Sequence, residues 1–177
     1  MSRIGKRPVT IPADIKVLLD GDLLKFSKGK IVEEYLVDSC VNVKLENNCL
    51  SFAPKDGFKN SAAIWGTTQK NVSNIIHGMS KGFSTDLELI GVGYKAAVAG
   101  KQLVLELGYS HNIKYNIPEG ITIVCSKPTL ITVSGHSKKQ VGDVVAIIKT
   151  YRKVEPYKGK GIVRSGDFVY RKEGKKK

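Results

Sequence analysis

Val72, Ile75, Ile76 and Met79 stand at relative positions 0, 3, 4 and 7, and Val141, Val144, Val145 and Ile148 repeat that spacing in the second half of the chain. The period lines each quartet up on one face of an α-helix. Before each quartet runs a series of short apolar segments cut by turn residues. A chain that writes the same order of elements twice is constrained to two similar packing units, each using its helix to cover its own sheets. The fold class expected is therefore α+β: two tandem similar domains, each with small antiparallel or mixed β-sheets and one packed helix, an internal duplication. The domains are residues 1–82 and 83–177, with the boundary near Gly82-Phe83.

The segments can be read in order. Ile15–Leu19 and Leu23–Ser27 form a hairpin around Asp20-Gly21-Asp22, and Ser27-Lys28-Gly29-Lys30 turns again. Glu34–Val37, Asn42–Leu45 and Cys49–Phe52 follow as short strands, with Asn47-Asn48 as a turn, before a loop over Pro54–Lys59. The first helix starts at a cap on Asn60 or Ser61, or later near Thr68 because Gly66 interrupts, and Gly78 and Gly82 end it. Trp65 is expected in packing. The second half restarts with a strand-like run, Asp86–Val98, in which Gly91 and Gly93 mark a bulge or a close backbone approach. Gln102–Leu107, Ile113–Ile117, Ile121–Cys125 and Thr129–Ser134 complete the strands, and Ser137 with Gln140 opens the second helix in a capping-box pattern.

Charge separates the two halves. The net charge of +13 is concentrated at the ends: residues 1–7 carry +3 (Arg3, Lys6, Arg7), and residues 136–177 carry +9, with 13 basic residues against 4 acidic. The 128 residues between carry only +1. A near-neutral body with cationic ends points to local attachment to a polyanion. A membrane surface is disfavoured, because the basic tail lacks the apolar face of an interfacial helix and no run of about 18 apolar residues exists to span a bilayer. Residues 1–12 read as an extended basic arm, either an untethered terminus or an arm that touches RNA or a neighbouring protein.

No catalytic or metal constellation emerges, and no cofactor is expected. His77, His111 and His136 are scattered without ligand-type neighbours. Cys40, Cys49 and Cys125 are odd in number and lack metal spacing, which fits free, partly buried thiols in a reducing compartment. Gly91-Val92-Gly93 lacks the third glycine and the helix of a dinucleotide fingerprint. Gly159-Lys160-Gly161 lacks the Ser or Thr and the helix of a phosphate-binding loop.

What remains is Val154-Glu155-Pro156-Tyr157-Lys158-Gly159-Lys160-Gly161-Ile162, directly after the second helix. Its glycines admit close backbone approach, its lysines and backbone N–H groups suit phosphate, and Tyr157 offers a ring for an unpaired base. A solvated, flexible tail is the competing reading. The run Glu-Pro-Tyr-Lys-Gly-Lys-Gly-Ile resembles the signature of the bacterial-type large-subunit ribosomal protein family L-six. That family usually has Pro or Ser where this chain has Val154. Met1-Ser2-Arg3-Ile4-Gly5-Lys6-Arg7-Pro8-Val9, Gly66-Thr67-Thr68 and Gly91-Val92-Gly93-Tyr94-Lys95-Ala96 resemble it too, so the likeness covers essentially the whole chain.

The resemblance implies two similar domains and a structural role in the large subunit of a cytoplasmic ribosome, without chemistry. It implies docking on large-subunit ribosomal RNA beside the sarcin–ricin loop and the base of the factor-binding stalk, next to other large-subunit proteins and where translational GTPases land. The second domain is then the principal RNA-binding unit. The signature residues Tyr157, Lys158, Gly159, Lys160 and Gly161 are carried over from the family. Lys138, Lys139, Lys149, Arg152, Lys153, Arg164, Arg171 and Lys172 join them from charge and position alone. Tyr94 and Lys95 complete the candidates, with half-buried packing the competing reading for Tyr94. The alternative is a non-ribosomal RNA-binding or RNA-processing protein, which requires a convergent polar site that the sequence does not supply. Arg164–Lys177 reads as a polar tail containing Arg171, Lys172, Lys175, Lys176 and Lys177, whose last few residues are expected to order only on a partner.

Overall fold

The computed structural model describes residues 3–29, 31–55, 57–58 and 60–175. The chain divides into two compact units, the first closing at Gly82 and the second opening at Phe83. Lys30, Asp56 and Lys59, in the expected turn and loop, lie outside the described residues, as do Met1, Ser2, Lys176 and Lys177.

The first unit contains β1 (Val9–Thr10), β2 (Lys16–Asp20), β3 (Leu23–Lys28), β4 (Ile31–Leu36), β5 (Val41–Glu46), β6 (Cys49–Pro54) and α1 (Ser61–Lys81). The second contains β7 (Phe83–Ile90), β8 (Lys95–Ala99), β9 (Gln102–Glu106), β10 (Ile113–Asn116), β11 (Ile121–Lys127), β12 (Leu130–Gly135), α2 (Lys138–Tyr151) and β13 (Gly161–Arg164).

The duplication is visible in the strand order. In the first unit one sheet is β1-β6-β5 and the other is the meander β2-β3-β4. In the second, β7-β12-β11 repeats the first arrangement and β8-β9-β10 repeats the meander. The first strand of each unit thus pairs with the last strand before the helix, and every pairing described is antiparallel. The second unit departs from the repeat in one place. β13 adds a fourth strand on the free edge of β7, with Gly161 opposite Ile90 and Arg164 opposite Leu87.

Each helix buries one face in the core that both sheets of its unit share. Val72, Ile76 and Met79 of α1 are buried with Leu24, Phe26, Leu50 and Trp65. Val141, Val144, Val145 and Ile148 of α2 are buried with Leu87, Leu103, Leu105, Ile131 and Ile162. Alternation in β3 and β12 sends every second side chain inward, as a half-covered strand requires. Trp65 is in the core, and its indole N–H donates to the Phe52 carbonyl at 2.8 Å.

Several expectations need correction. The run Asp86–Val98 is not one strand: it breaks at Gly91–Tyr94, and its halves β7 and β8 join different sheets. The cause is local. A Cβ on Gly91 would lie 2.6 Å from the Tyr94 ring, so the ring folds back against bare backbone. Gly78 does not end α1. It is buried within the helix, and the helix closes at Gly82, whose N–H bonds the Gly78 carbonyl at 2.9 Å. Residue 60 is the helix cap position, but Asn60 makes no side-chain cap bond, whereas Ser137 Oγ accepts from the Gln140 N–H in α2. The untethered-terminus alternative does not hold for the end of the arm, because β1 within it pairs with β6 through Val9 opposite Leu50. Cys40 is buried and Cys49 and Cys125 are half-buried, all as free thiols; burial pushes the Cys40 and Cys125 thiols up.

Candidate nucleic-acid interface

The segment after α2 is a folded loop closed at both ends by backbone. The Glu155 N–H donates to the Lys160 carbonyl at 2.8 Å, the Gly159 N–H to the Glu155 carbonyl at 3.1 Å, and the Ile162 N–H to the Arg152 carbonyl at 3.0 Å. The loop then becomes β13, whose Ile162 and Val163 are buried. The competing reading of a solvated, flexible tail does not hold for this stretch.

Gly161 is what allows the closure. Its φ is +143°, and a Cβ there would lie 2.7 Å from both the Lys153 carbonyl oxygen and Val154 Cα. Backbone passes over backbone at that point, so no side chain fits. With the loop anchored from below, Lys153, Tyr157, Lys158 and Lys160 all face solvent, and Tyr157 is 56% exposed.

The chain beyond β13 folds back on the same loop. The Lys172 N–H donates to the Pro156 carbonyl at 2.8 Å, and the Arg171 guanidinium lies over Gly159, 3.1 Å from where a Cβ would stand. Arg171 and Lys172 therefore join the signature cations. A groove of about 270 Å³ runs between the loop and the returning chain, lined by Val154, Pro156, Phe168 and Tyr170 among others. Phe168 and Tyr170 are 90% and 69% exposed.

Arg152 sits at the end of α2, where its helical backbone stops. Its Nε donates to the Tyr94 hydroxyl at 3.0 Å, and its guanidinium carbon lies 5.0 Å from the centre of the Tyr109 ring. Tyr109 in turn donates its hydroxyl to the Tyr151 carbonyl, one of the last of the helix, at 3.0 Å. The phenols of Tyr109 and Tyr94 raise the guanidinium pKa further, so Arg152 is a fixed cation. Tyr109 and the exposed rings Phe168 and Tyr170 were absent from the sequence candidates, because a lone aromatic in a turn or tail carries no spacing signal.

The other candidates distribute unevenly. Tyr94 is only 8% exposed and belongs to the core, in line with the competing packing reading, and its hydroxyl positions Arg152. Lys95 is exposed at the start of β8, opposite Glu106. Lys149 is engaged: its Nζ lies 2.6 Å from Asp167 Oδ2, and this ammonium holds the Asp167 carboxyl below the usual carboxylate range. Arg164 is exposed where β13 ends. Lys138 and Lys139 are exposed at the other end of α2, with Lys138 Nζ 6.0 Å above the Phe83 ring. β7 measures the separation. Gly161 is at its Ile90 end and Phe83 at its start, about 23 Å apart at the rise of a strand. The cations thus form one cluster around the signature loop and a separate pair at the start of α2.

The arrangement can bind an anion chain by charge and shape. Exposed lysines and arginines on a rigid loop fix phosphates, and exposed rings accept unstacked bases. Among the described residues no group of three or more His, Cys, Asp or Glu side chains is placed to hold a metal. Among the described residues no helix is long and apolar enough to cross a membrane.

The family model described as Ribosomal protein L6 matches residues 90–164, which run from the end of β7 through the signature loop and β13. Relatives are similar along the whole chain. The large ribosomal subunit protein uL6 of Methylorubrum extorquens (strain PA1) is 49% identical over 177 residues, covering 100% of both chains. The protein of that name from Methylorubrum populi (strain BJ001) is also 49% identical over the full length of both. That from Bradyrhizobium sp. (strain BTAi1) is 48% identical, again over 100% of each chain.

Proposed function

The chain belongs to the ribosomal protein L6 family, a family of non-enzymatic ribosomal proteins, and on that premise we propose that it is a structural constituent of the large ribosomal subunit whose second unit anchors it to ribosomal RNA. The observation that carries the reading is the closure of the signature loop on Gly161, which holds Lys153, Lys158 and Lys160 outward on a folded base. A pre-shaped cationic loop does not lose the ordering entropy that a free tail loses on contact.

Tyr157, Lys158 and Lys160, together with Arg152, Arg171 and Lys172, form the principal contact, with Gly159 buried beneath Arg171. Lys138 and Lys139 reach a second stretch of backbone, and Lys95 and Arg164 flank the first. The docking place is the large-subunit RNA beside the sarcin–ricin loop and the base of the factor-binding stalk, where translational GTPases land. The role there is to hold that RNA in shape among neighbouring large-subunit proteins.

Binding of the full chain to purified large-subunit RNA across a salt series tests this. Replacing Lys158 and Lys160 together by Ala is expected to weaken binding and to lower the log–log salt slope by about 1.4 to 1.8, from roughly 0.7–0.9 per phosphate contact. Unchanged affinity and slope would remove the signature loop from the interface.

A further inference from the structure

The first unit carries a second feature that the signature reading does not use. The N-terminal segment lies along α1 and encloses a groove of about 530 Å³ between them. The wall made by the segment is anchored: the Arg7 N–H bonds the Ile4 carbonyl at 3.0 Å, and β1 pairs with β6. Arg7 contributes a cation from this side. From the helix come Lys70, Ser73, His77 and Lys81, and no Asp or Glu lines the groove. Their spacing places them along one helix face. The run from Lys70 to Lys81 extends about 16 Å at the rise of a helix. Arg7, Lys70 and Lys81 are all exposed.

The floor supplies an independent sign of a ligand. Gln69 is 6% exposed, and its Nε2 donates to the Arg7 carbonyl at 3.2 Å. Its Oε1 is buried with no hydrogen-bond partner among the described residues. An unpaired buried acceptor is costly, and structures rarely leave one without a donor from water or a ligand.

We infer that this groove is a second RNA site, taking the sugar–phosphate backbone of a strand: phosphates on Arg7, Lys70 and Lys81, and a ribose 2′-hydroxyl as the donor that Gln69 lacks. Cations on both walls with no carboxylate between them fit a polyanion, and the 2′-hydroxyl is the donor that an RNA backbone presents. An acidic protein segment is the competing occupant. The inference takes its partner, RNA, from the function proposed above but uses none of the signature residues.

The test measures full-length Lys70→Ala/Lys81→Ala against purified large-subunit RNA over a salt series, beside Lys158→Ala/Lys160→Ala. Both changes are at exposed positions, and Trp65 fluorescence checks that the first unit stays folded. The expected result is weaker binding and a slope lowered by about 1.4 to 1.8, with Lys70 and Lys81 of the native chain shielded from amine acetylation in the complex. Unchanged affinity and slope with both lysines still reactive would overturn the inference in favour of a protein occupant. If only the signature variant loses binding, the groove falls and the signature site stands. If only the groove variant does, the reverse holds. If neither changes, both fall.

Discussion

The Arg152 Nε donates to the Tyr94 hydroxyl at 3.0 Å, joining the end of α2 to the turn that separates β7 from β8. One of the two residues is core and the other is cation. The bond sets where the guanidinium points, and the Tyr109 ring holds it as well, with the guanidinium carbon 5.0 Å from the ring centre. Tyr94→Phe keeps the ring packing and removes the acceptor. It is expected to reduce affinity for large-subunit RNA several-fold while circular dichroism stays native, and Arg152→Ala is expected to reduce it further. Affinity unchanged by Tyr94→Phe would mean that Arg152 needs no positioning.

Two glycines in the second unit should respond with opposite sign. Gly161→Ala must move backbone at Lys153 and Val154, and a strained φ of this kind costs about 1–3 kcal/mol before the clash is counted. Lower stability and weaker RNA binding are expected together. Gly142 lies within α2, with nothing within 4 Å of an added Cβ. Gly142→Ala should stabilise by about 0.5–1 kcal/mol through helix propensity. Urea unfolding of the two variants checks both directions.

The cores of the two units are distinct clusters, and the single tryptophan, Trp65, is in the first. Ile148→Ala empties a fully buried position of the second core and should cost about 2–5 kcal/mol there. Far-ultraviolet circular dichroism should then show an earlier loss of structure, while the Trp65 fluorescence transition stays in place. Val72→Ala, in the first core, should instead shift the fluorescence transition. If Ile148→Ala moves both probes equally, the units unfold as one.

The Lys149–Asp167 pair gives a pH signature. The partner ammonium depresses the Asp167 pKa in the folded state below its ordinary value of 3.8. The unfolded chain therefore binds a proton first as pH falls, and the pair's contribution is complete above about pH 4 and lost as pH drops through the folded value. Asp167→Asn should remove that acid-side dependence from the stability profile. It should also free Lys149, giving tighter RNA binding with a steeper salt slope. An unchanged slope would show that Lys149 lies outside the contact.

The sequence exposed the repeat because each helix must bury a face, and a buried face leaves a period of 3.6 residues in the chain. The quartet from Val141 to Ile148 and most of that from Val72 to Met79 are accordingly in the cores. The hairpin turns were legible for a similar reason: Asn47 and Asn48, the central pair between β5 and β6, both adopt positive φ, which few residues other than glycine tolerate. The break at Gly91–Tyr94 was harder to read, because apolar strand-forming residues continue on both sides and only packing of the Tyr94 ring divides them. β13 was hidden for another reason. Its four residues, Gly161–Arg164, are too few to show alternation, and their strand exists only because β7 offers an unpaired edge.

The same division holds at the interface. Composition alone located the charge, since lysine and arginine repel one another and cluster only where a polyanion or solvent receives them. The family likeness singled out the signature. Neither reveals which cations stand free. Lys149 is paired because Asp167, a residue of the returning chain, comes within 2.6 Å of it. Tyr94 is core because backbone without side chains at Gly91 lets its ring fold in. Lys138 and Lys153 are separated by the length of α2, whose 14 residues rise about 20 Å. Local sequence determines periodicity, turn chemistry and total charge, because those are properties of neighbours along the chain. Which charges remain available to a partner is decided by contacts between residues far apart in sequence, and these exist only once the units have folded.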